Sequence, residues 1–88
     1  MLSTGLIVED YPLAQQWLGR ALETAFPEIR LAYAEDCATA LDYIAQNGAP
    51  DVALIDLKLP DGNGRDLINL IKAQFPLEQK QSLCVVTT

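Results

Sequence analysis

The chain has 88 residues, of which 50% are hydrophobic, and its formal net charge is −6. This length allows one small domain, and the hydrophobic content is enough to build a core, which excludes a disordered tail. The acidic balance makes the chain a poor direct ligand for nucleic acid, because it repels phosphate backbones.

Two strand–helix units are predicted in the first half of the chain. In chain order, they are a strand at 6–8, a helix at 12–26, a strand at 29–34 and a helix that ends at 47–48. Pro12 suits the first turn of the first helix, and Pro27 ends that helix. Glu35 or Asp36 is expected to cap the second helix.

The second half of the chain continues this alternation. In chain order, it has a strand at 52–57, a loop at 60–64, a helix with apolar residues at 67–71 that is closed at 75–76, and a fourth strand at 83–87. In the loop, Asp61 and Asn63 are expected to serve the turn. The pattern βαβαβαβ predicts an α/β fold, with a doubly wound parallel sheet covered by helices on both faces.

The cysteines and the N-terminus indicate in which cellular compartment the protein is expected. Cys37 and Cys84 are far apart and the chain has no histidine, which excludes Cys/His zinc sites and a histidine base. The N-terminus lacks the basic flank and cleavage site of a signal peptide, and no apolar run is long enough to span a membrane. We therefore expect a cytoplasmic protein with reduced thiols and no membrane partner.

Three acidic residues follow predicted strands. Asp56 lies at the end of an apolar run, where a charge is costly unless it is paired or bound to a metal, and Glu9 and Asp10 follow the first strand. Ligands of parallel sheets bind beyond the carboxyl ends of the strands, so these acids converge if the two strands are neighbours. Like charges this close raise one pKa, and a hard cation removes the repulsion. The sequence thus predicts a Mg²⁺ site open to a phosphorylated species.

Asp56 is the best candidate for a carboxylate nucleophile that forms an aspartyl phosphate. Asp10, and Glu9 at longer range, would hold the metal. Thr87, at the end of the fourth strand, could donate its hydroxyl to a phosphoryl oxygen, although Thr88 competes for this role by one position. Glu9 and Asp10 could instead serve only as capping acids of the first helix.

The stretches LIVEDYP, DVALIDLKLPDGNG and LCVVTT resemble the receiver domain of bacterial two-component response regulators. Together they span nearly the whole chain in the order that this family has. The resemblance implies the flavodoxin-like (CheY-like) doubly wound sheet, with strand order 2-1-3-4-5. It also implies that a sensor histidine kinase or a phosphotransfer protein donates a phosphoryl group, and that the receiver catalyses its own phosphorylation and later hydrolysis.

The resemblance implies a role for each site residue. Asp56 matches the phospho-accepting aspartate, while Glu9 and Asp10 match the acidic pair at the Mg²⁺. Lys58 matches the position whose backbone carbonyl is a further metal ligand, and Thr87 matches the switch threonine. We therefore expect a signalling domain and not an enzyme. A phosphatase of the haloacid dehalogenase type would need a second aspartate where this chain has Lys58, whereas a non-phosphorylated pseudo-receiver stays open as an alternative.

Whole receivers of this family are longer, so we expect residues 1–88 to be the N-terminal portion of one, without the fifth strand and its phosphate-pairing lysine. The stretch DYPLAQQWLGRALE resembles receivers of the LuxR/NarL type, whose output domain binds DNA and regulates transcription. We expect contact with DNA only through such a domain. An unprotected fourth strand and an uncovered helix face near Trp17 and Leu18 predict that the chain forms homo-oligomers.

Overall fold

Strands and helices alternate along the chain as expected. The computed structural model describes residues 3–74 and 83–87, and the side chains of 74 and 83–87 lie outside the described part. The elements are β1 (Thr4–Val8), α1 (Pro12–Ala25), β2 (Arg30–Ala34), α2 (Cys37–Asn47), β3 (Val52–Asp56), β4 (Lys58–Leu59), β5 (Gly62–Asn63), α3 (Gly64–Gln74) and β6 (Leu83–Thr87).

Four of the strands form one parallel sheet in the order β2-β1-β3-β6. The chain passes from β1 to β2 on one side and then returns to β3 on the other side, so the direction of winding reverses between β1 and β3. Val8 lies opposite Ile55, which brings the carboxyl ends of β1 and β3 to the same edge. This confirms the predicted fold class and places the switch point between β1 and β3.

Helices cover both faces of the sheet. Successive residues of a strand point to opposite faces, so a single apolar strand contributes side chains to the core on each side. Ile7 joins a cluster beneath α1, whereas its neighbours Leu6 and Val8 join a larger cluster beneath α2 and α3. The buried residues of the first cluster are Ile7, Leu22, Ile29 and Val52. Those of the larger cluster are Leu6, Val8, Ala34, Ala40, Ile44, Ala53, Ile55, Leu59, Leu67 and Ile71.

Where the sequence predicts only a loop after the third strand, the structure has a small antiparallel ribbon, β4–β5 (58–63). Lys58 pairs with Asn63 and Leu59 pairs with Gly62, with Pro60 and Asp61 at the turn. Proline suits the second position of such a four-residue turn. Leu59 is buried, so the ribbon is anchored in the core.

The first two helices begin and end close to the predicted positions. Pro12 is at the start of α1, and α1 ends at Ala25, one residue earlier than expected. Asp36, one of the two expected caps, accepts a hydrogen bond from Thr39 N at 2.8 Å, and Gly48 ends α2 with a φ of 84°. The predicted end of the third helix at 75–76 lies outside the described residues. None of the helices in the described ranges has the length and hydropathy that a membrane crossing requires.

The outer face of α1 is only partly uncovered. Trp17 is 78% exposed and Leu13 is 57% exposed, as the sequence suggested for this face. Leu18 is half-buried against the cluster beneath α1, because it lies on the side of the helix that faces the sheet. The exposed apolar surface therefore centres on Trp17 and not on Leu18.

Candidate functional site

The three predicted carboxylates meet at the carboxyl edge of the sheet. Glu9 and Asp10 directly follow β1, and Asp56 is the last residue of the neighbouring strand β3. One carboxylate oxygen from each lies within 4.8 Å of the others. Glu9 is buried, Asp56 is half-buried and Asp10 is exposed, so the cluster, which we call the acidic pocket, extends from the protein interior to solvent.

The backbone of Glu9 is held from two sides. Its N–H donates to the carbonyl of Ala34 at 2.9 Å, which ties it to the end of β2. Its carbonyl accepts a hydrogen bond from Gln15 Nε2 at 2.5 Å, and Oε2 of its carboxylate accepts one from the N–H of Tyr11 at 3.2 Å. Sequence reasoning missed Gln15, although a polar residue in the first turn of the helix after an acidic strand end was the available signal.

Burial raises the pKa of Glu9, and the neighbouring acids Asp10 and Asp56 raise it further, against the opposing effect of the Tyr11 N–H. The charged form of Glu9 is therefore disfavoured when no cation is bound. Three carboxylate oxygens around one point are the hard ligands that Mg²⁺ prefers, and a cation there would offset the repulsion. The chemistry of this donor set fits the divalent cation that the sequence predicts.

The backbone after Asp56 turns sharply beside the acidic pocket. The N–H of Lys58 lies 3.3 Å from Oδ1 of Asp56, and the N–H of Gly64 donates to the carbonyl of Leu57 at 2.9 Å. A Cβ at position 64 would clash with the backbone carbonyl of Asp56 and would lie 2.9 Å from Cγ2 of Ile55. Glycine is therefore required where α3 begins, a role that the loop predicted at 60–64 did not reveal.

The two polar residues of the predicted turn have different partners. Asn63 serves the local structure, because its Oδ1 accepts a hydrogen bond from the N–H of Asp66 in the first turn of α3 at 3.0 Å. The carboxylate of Asp61 instead reaches α2, where it accepts hydrogen bonds from the N–H groups of Cys37 and Ala38. The sequence could not show this contact, because it joins residues 24 and 23 positions apart.

Thr87 is paired with Asp56 across β3 and β6, so its backbone lies at the same edge of the sheet as the acidic pocket. Its side chain and the whole of Thr88 lie outside the described part, and the role of the hydroxyl stays a prediction. The side chain of Cys84 is outside it as well, whereas Cys37 is a free, half-buried thiol.

The description "Response regulator receiver domain" belongs to the family model that matches residues 6–88. The chain therefore belongs to the response regulator receiver domain family, as its three motifs predicted. No curated protein matches the chain.

Solved structures agree with this family. A CheY-like receiver domain from Methylobacillus flagellatus has a TM-score of 0.80 and 32% identity, over 98% of this chain and 69% of that one. The MaeR response regulator bound to beryllium trifluoride has a TM-score of 0.80 and 25% identity, over 99% and 69%. The non-phosphorylated HemR receiver domain from Leptospira biflexa has a TM-score of 0.73 and 30% identity, over 96% and 64%. The chain thus spans roughly two thirds of these similar structures.

Proposed function

We propose that this receiver accepts a phosphoryl group on Asp56, with Mg²⁺ held by Glu9, Asp10, Asp56 and the backbone carbonyl of Lys58. The observation that carries the proposal is the convergence of three carboxylate oxygens within 4.8 Å at the switch point of the sheet. The donor would be a sensor histidine kinase or a phosphotransfer protein, in keeping with the receiver family.

In the proposed reaction, an oxygen of the Asp56 carboxylate attacks phosphorus while the bond between phosphorus and the donor nitrogen breaks, and the donor keeps that electron pair. Asp56 suits this role because it receives a single long hydrogen bond, at 3.3 Å, from an N–H donor of the described residues. When bound, Mg²⁺ supplies charge screening between the carboxylates and the incoming phosphoryl oxygens. Glu9 and Asp10 would orient that cation, and the hydroxyl of Thr87 would donate to a phosphoryl oxygen.

A similar structure supports a phosphoryl site. The MaeR response regulator, which has the same fold, is described with beryllium trifluoride bound. Beryllium trifluoride resembles a phosphoryl group in charge and shape. We expect this chain to bind it at Asp56, because that carboxylate is the proposed phosphoryl acceptor.

We further propose that phosphorylation is relayed to a DNA-binding output domain outside this chain, which would regulate transcription in the cytoplasm. The support is the likeness of the first helix to receivers of the LuxR/NarL type. Self-association of the chain is also proposed, through apolar surface such as that of Tyr11, Leu13 and Trp17, which are 58%, 57% and 78% exposed. Sedimentation that finds a folded monomer at high micromolar concentration would contradict self-association.

Mass spectrometry tests the phosphoryl-acceptor role. We expect the full-length protein, incubated with Mg²⁺ and acetyl phosphate, to gain one acid-labile phosphoryl group, and Asp56→Asn to gain none. Asp42→Asn is the matched control, because Asp42 is an exposed carboxylate on α2 that is not part of the acidic pocket. An adduct that persists in Asp56→Asn would refute the assignment, and a wild-type protein that gains none would favour a pseudo-receiver.

A further inference from the structure

We propose that Asp61 is a positioning residue for the metal site, because its carboxylate fixes the β4–β5 ribbon against the first turn of α2. The inference deepens the proposed function and rests on it. It predicts that the affinity of the acidic pocket for Mg²⁺ depends on a carboxylate that does not touch the metal.

Both oxygens of Asp61 are used in this contact. Oδ1 accepts from the N–H of Cys37 at 2.8 Å, and Oδ2 accepts from the N–H of Ala38 at 3.1 Å. The first N–H groups of a helix lack partners within the helix, and the positive end of the helix dipole favours an anion there. The N–H of Cys37 is the largest influence that lowers the pKa of Asp61, so the carboxylate is charged at neutral pH.

Two other residues of the ribbon contribute to the same docking. A Cβ at Gly62 would lie 3.3 Å from Sγ of Cys37, so the ribbon backbone approaches the start of α2 closely. Leu59 is 9% exposed and belongs to the core cluster against which Cys37 also packs. The tip of the ribbon is thus fixed by polar contacts at Asp61 and by apolar contacts beside it.

The other end of the ribbon lies at the acidic pocket. Lys58 begins the ribbon two residues after Asp56, and its N–H is 3.3 Å from Oδ1 of that carboxylate. The backbone carbonyl of Lys58 is the proposed metal ligand, so the orientation of the ribbon sets the position of this oxygen. Mg²⁺ requires near-ideal octahedral geometry, and a small displacement of one ligand therefore weakens binding. Residues that orient metal ligands typically contribute about ten- to a hundredfold to affinity.

Asp36, the N-cap residue of the same helix, offers a matched control. Its carboxylate also caps α2, through the N–H of Thr39 at 2.8 Å, but the described structure gives it no hydrogen bond to the ribbon. Removing either acid takes an anion from the start of α2. Only the removal of Asp61 releases the ribbon, so the two variants separate loss of helix stability from loss of positioning.

Titration calorimetry with Mg²⁺ on the full-length protein tests the inference. We expect Asp61→Ala to weaken binding about tenfold, while Asp36→Ala changes it by less than about twofold. Asp61→Asn, which keeps one acceptor oxygen, should fall between wild type and Asp61→Ala. Equal affinity in wild type and Asp61→Ala would overturn the inference and leave the proposed function intact. Wild-type protein that binds no Mg²⁺ would overturn the proposed function and the inference with it.

Amide hydrogen exchange supplies a readout without metal. In Asp61→Ala, exchange at the amides of Cys37 and Ala38 should accelerate while Thr39 stays protected, and Asp36→Ala should show the reverse pattern. Amides of the ribbon should exchange faster only in Asp61→Ala. Unchanged exchange at Cys37 and Ala38 in Asp61→Ala would show that the carboxylate does not hold the ribbon in solution, and would overturn the inference even if metal binding fell.

Discussion

Two aspartates lie at opposite ends of the same strand and have opposite surroundings. Asp51 immediately precedes β3, and its Oδ2 accepts hydrogen bonds from the N–H groups of Ser3 at 2.7 Å and Thr4 at 3.0 Å, and from their hydroxyls at 3.0 and 3.3 Å. Asp56 ends β3, and within the described residues it receives one N–H at 3.3 Å and has the carboxylates of Glu9 and Asp10 beside it.

These opposite surroundings indicate that Asp51 is a structural carboxylate and that Asp56 belongs to a site. A charged group surrounded by donors stabilises the fold, because the hydrogen bonds replace the water that it has lost. A carboxylate placed among like charges destabilises the folded protein unless a cation joins it. We therefore expect Asp51 to matter for stability and Asp56 to matter for function.

We expect substitutions of the two aspartates to differ most in how far Mg²⁺ then stabilises the protein. At a Mg²⁺ concentration about 100 times the Kd, binding should stabilise the wild-type protein by about 2.7 kcal/mol. Asp51→Asn should keep this increment, whereas Asp56→Asn should lose most of it, since one of the carboxylate ligands is gone. Thermal melts of the wild-type protein and of both variants, with and without Mg²⁺, measure this stabilisation. A full Mg²⁺ increment in Asp56→Asn would contradict a role for Asp56 as a metal ligand.

The next effect is on stability without metal. Asp51→Ala should lower the free energy of unfolding by about 2 kcal/mol, because hydrogen bonds to a charged group disappear and their donors lose a partner. Asp56→Ala should leave the free energy unchanged or raise it, since one of three like charges is removed. Urea unfolding in the presence of a chelator checks both variants. A loss in Asp56→Ala as large as that in Asp51→Ala would contradict a functional role for Asp56.

We expect a smaller effect on stability from Glu9, whose carboxylate lies beside those of Asp10 and Asp56. The pKa of Glu9 is raised above its usual value of 4.5, so the folded protein binds a proton there more tightly than the unfolded chain does. Without divalent cations, the stability associated with Glu9 is present below pH 4.5 and is lost as the pH rises through the folded-state pKa. Glu9→Gln should remove this decline, as should saturating Mg²⁺.

Urea midpoints measured from pH 4.5 upward in a chelator would show the decline. Glu23→Gln, at an exposed position on α1, is the control and should behave like wild type. A wild-type profile in which stability rises over this pH range, by an amount that Glu9→Gln abolishes, would contradict the raised pKa.

The alternation of elements could be predicted from the sequence, because it depends on local patterns. The convergence of the acids followed only on the condition that β1 and β3 are neighbours, which the resemblance to receivers implied through its strand order. Apolar runs mark the strands, and a parallel sheet brings the residues after β1 and at the end of β3 to one edge. Asp51 and Asp56, however, look alike in sequence, since each borders the same apolar run. The donors that distinguish Asp51 are 47 and 48 positions away, and no local pattern reveals them.

The contact of the ribbon with α2 was missed for the same reason. A stretch with proline, glycine and asparagine predicts a turn, but it does not show that Asp61 reaches the N–H groups of Cys37 and Ala38. Gly64 likewise looks like a loop residue until the closeness of the Asp56 carbonyl is known. Contacts between distant segments need the assembled fold.

The hydrogen bond from Gln15 to the backbone carbonyl of Glu9 ties the first turn of α1 to the acidic pocket. This contact adds to the covalent connection between Glu9 and the helix. An uncharged residue thereby offers a way to adjust the site without altering its ionic composition. A change of Gln15 would act on the backbone of Glu9 while every acid of the pocket stays the same.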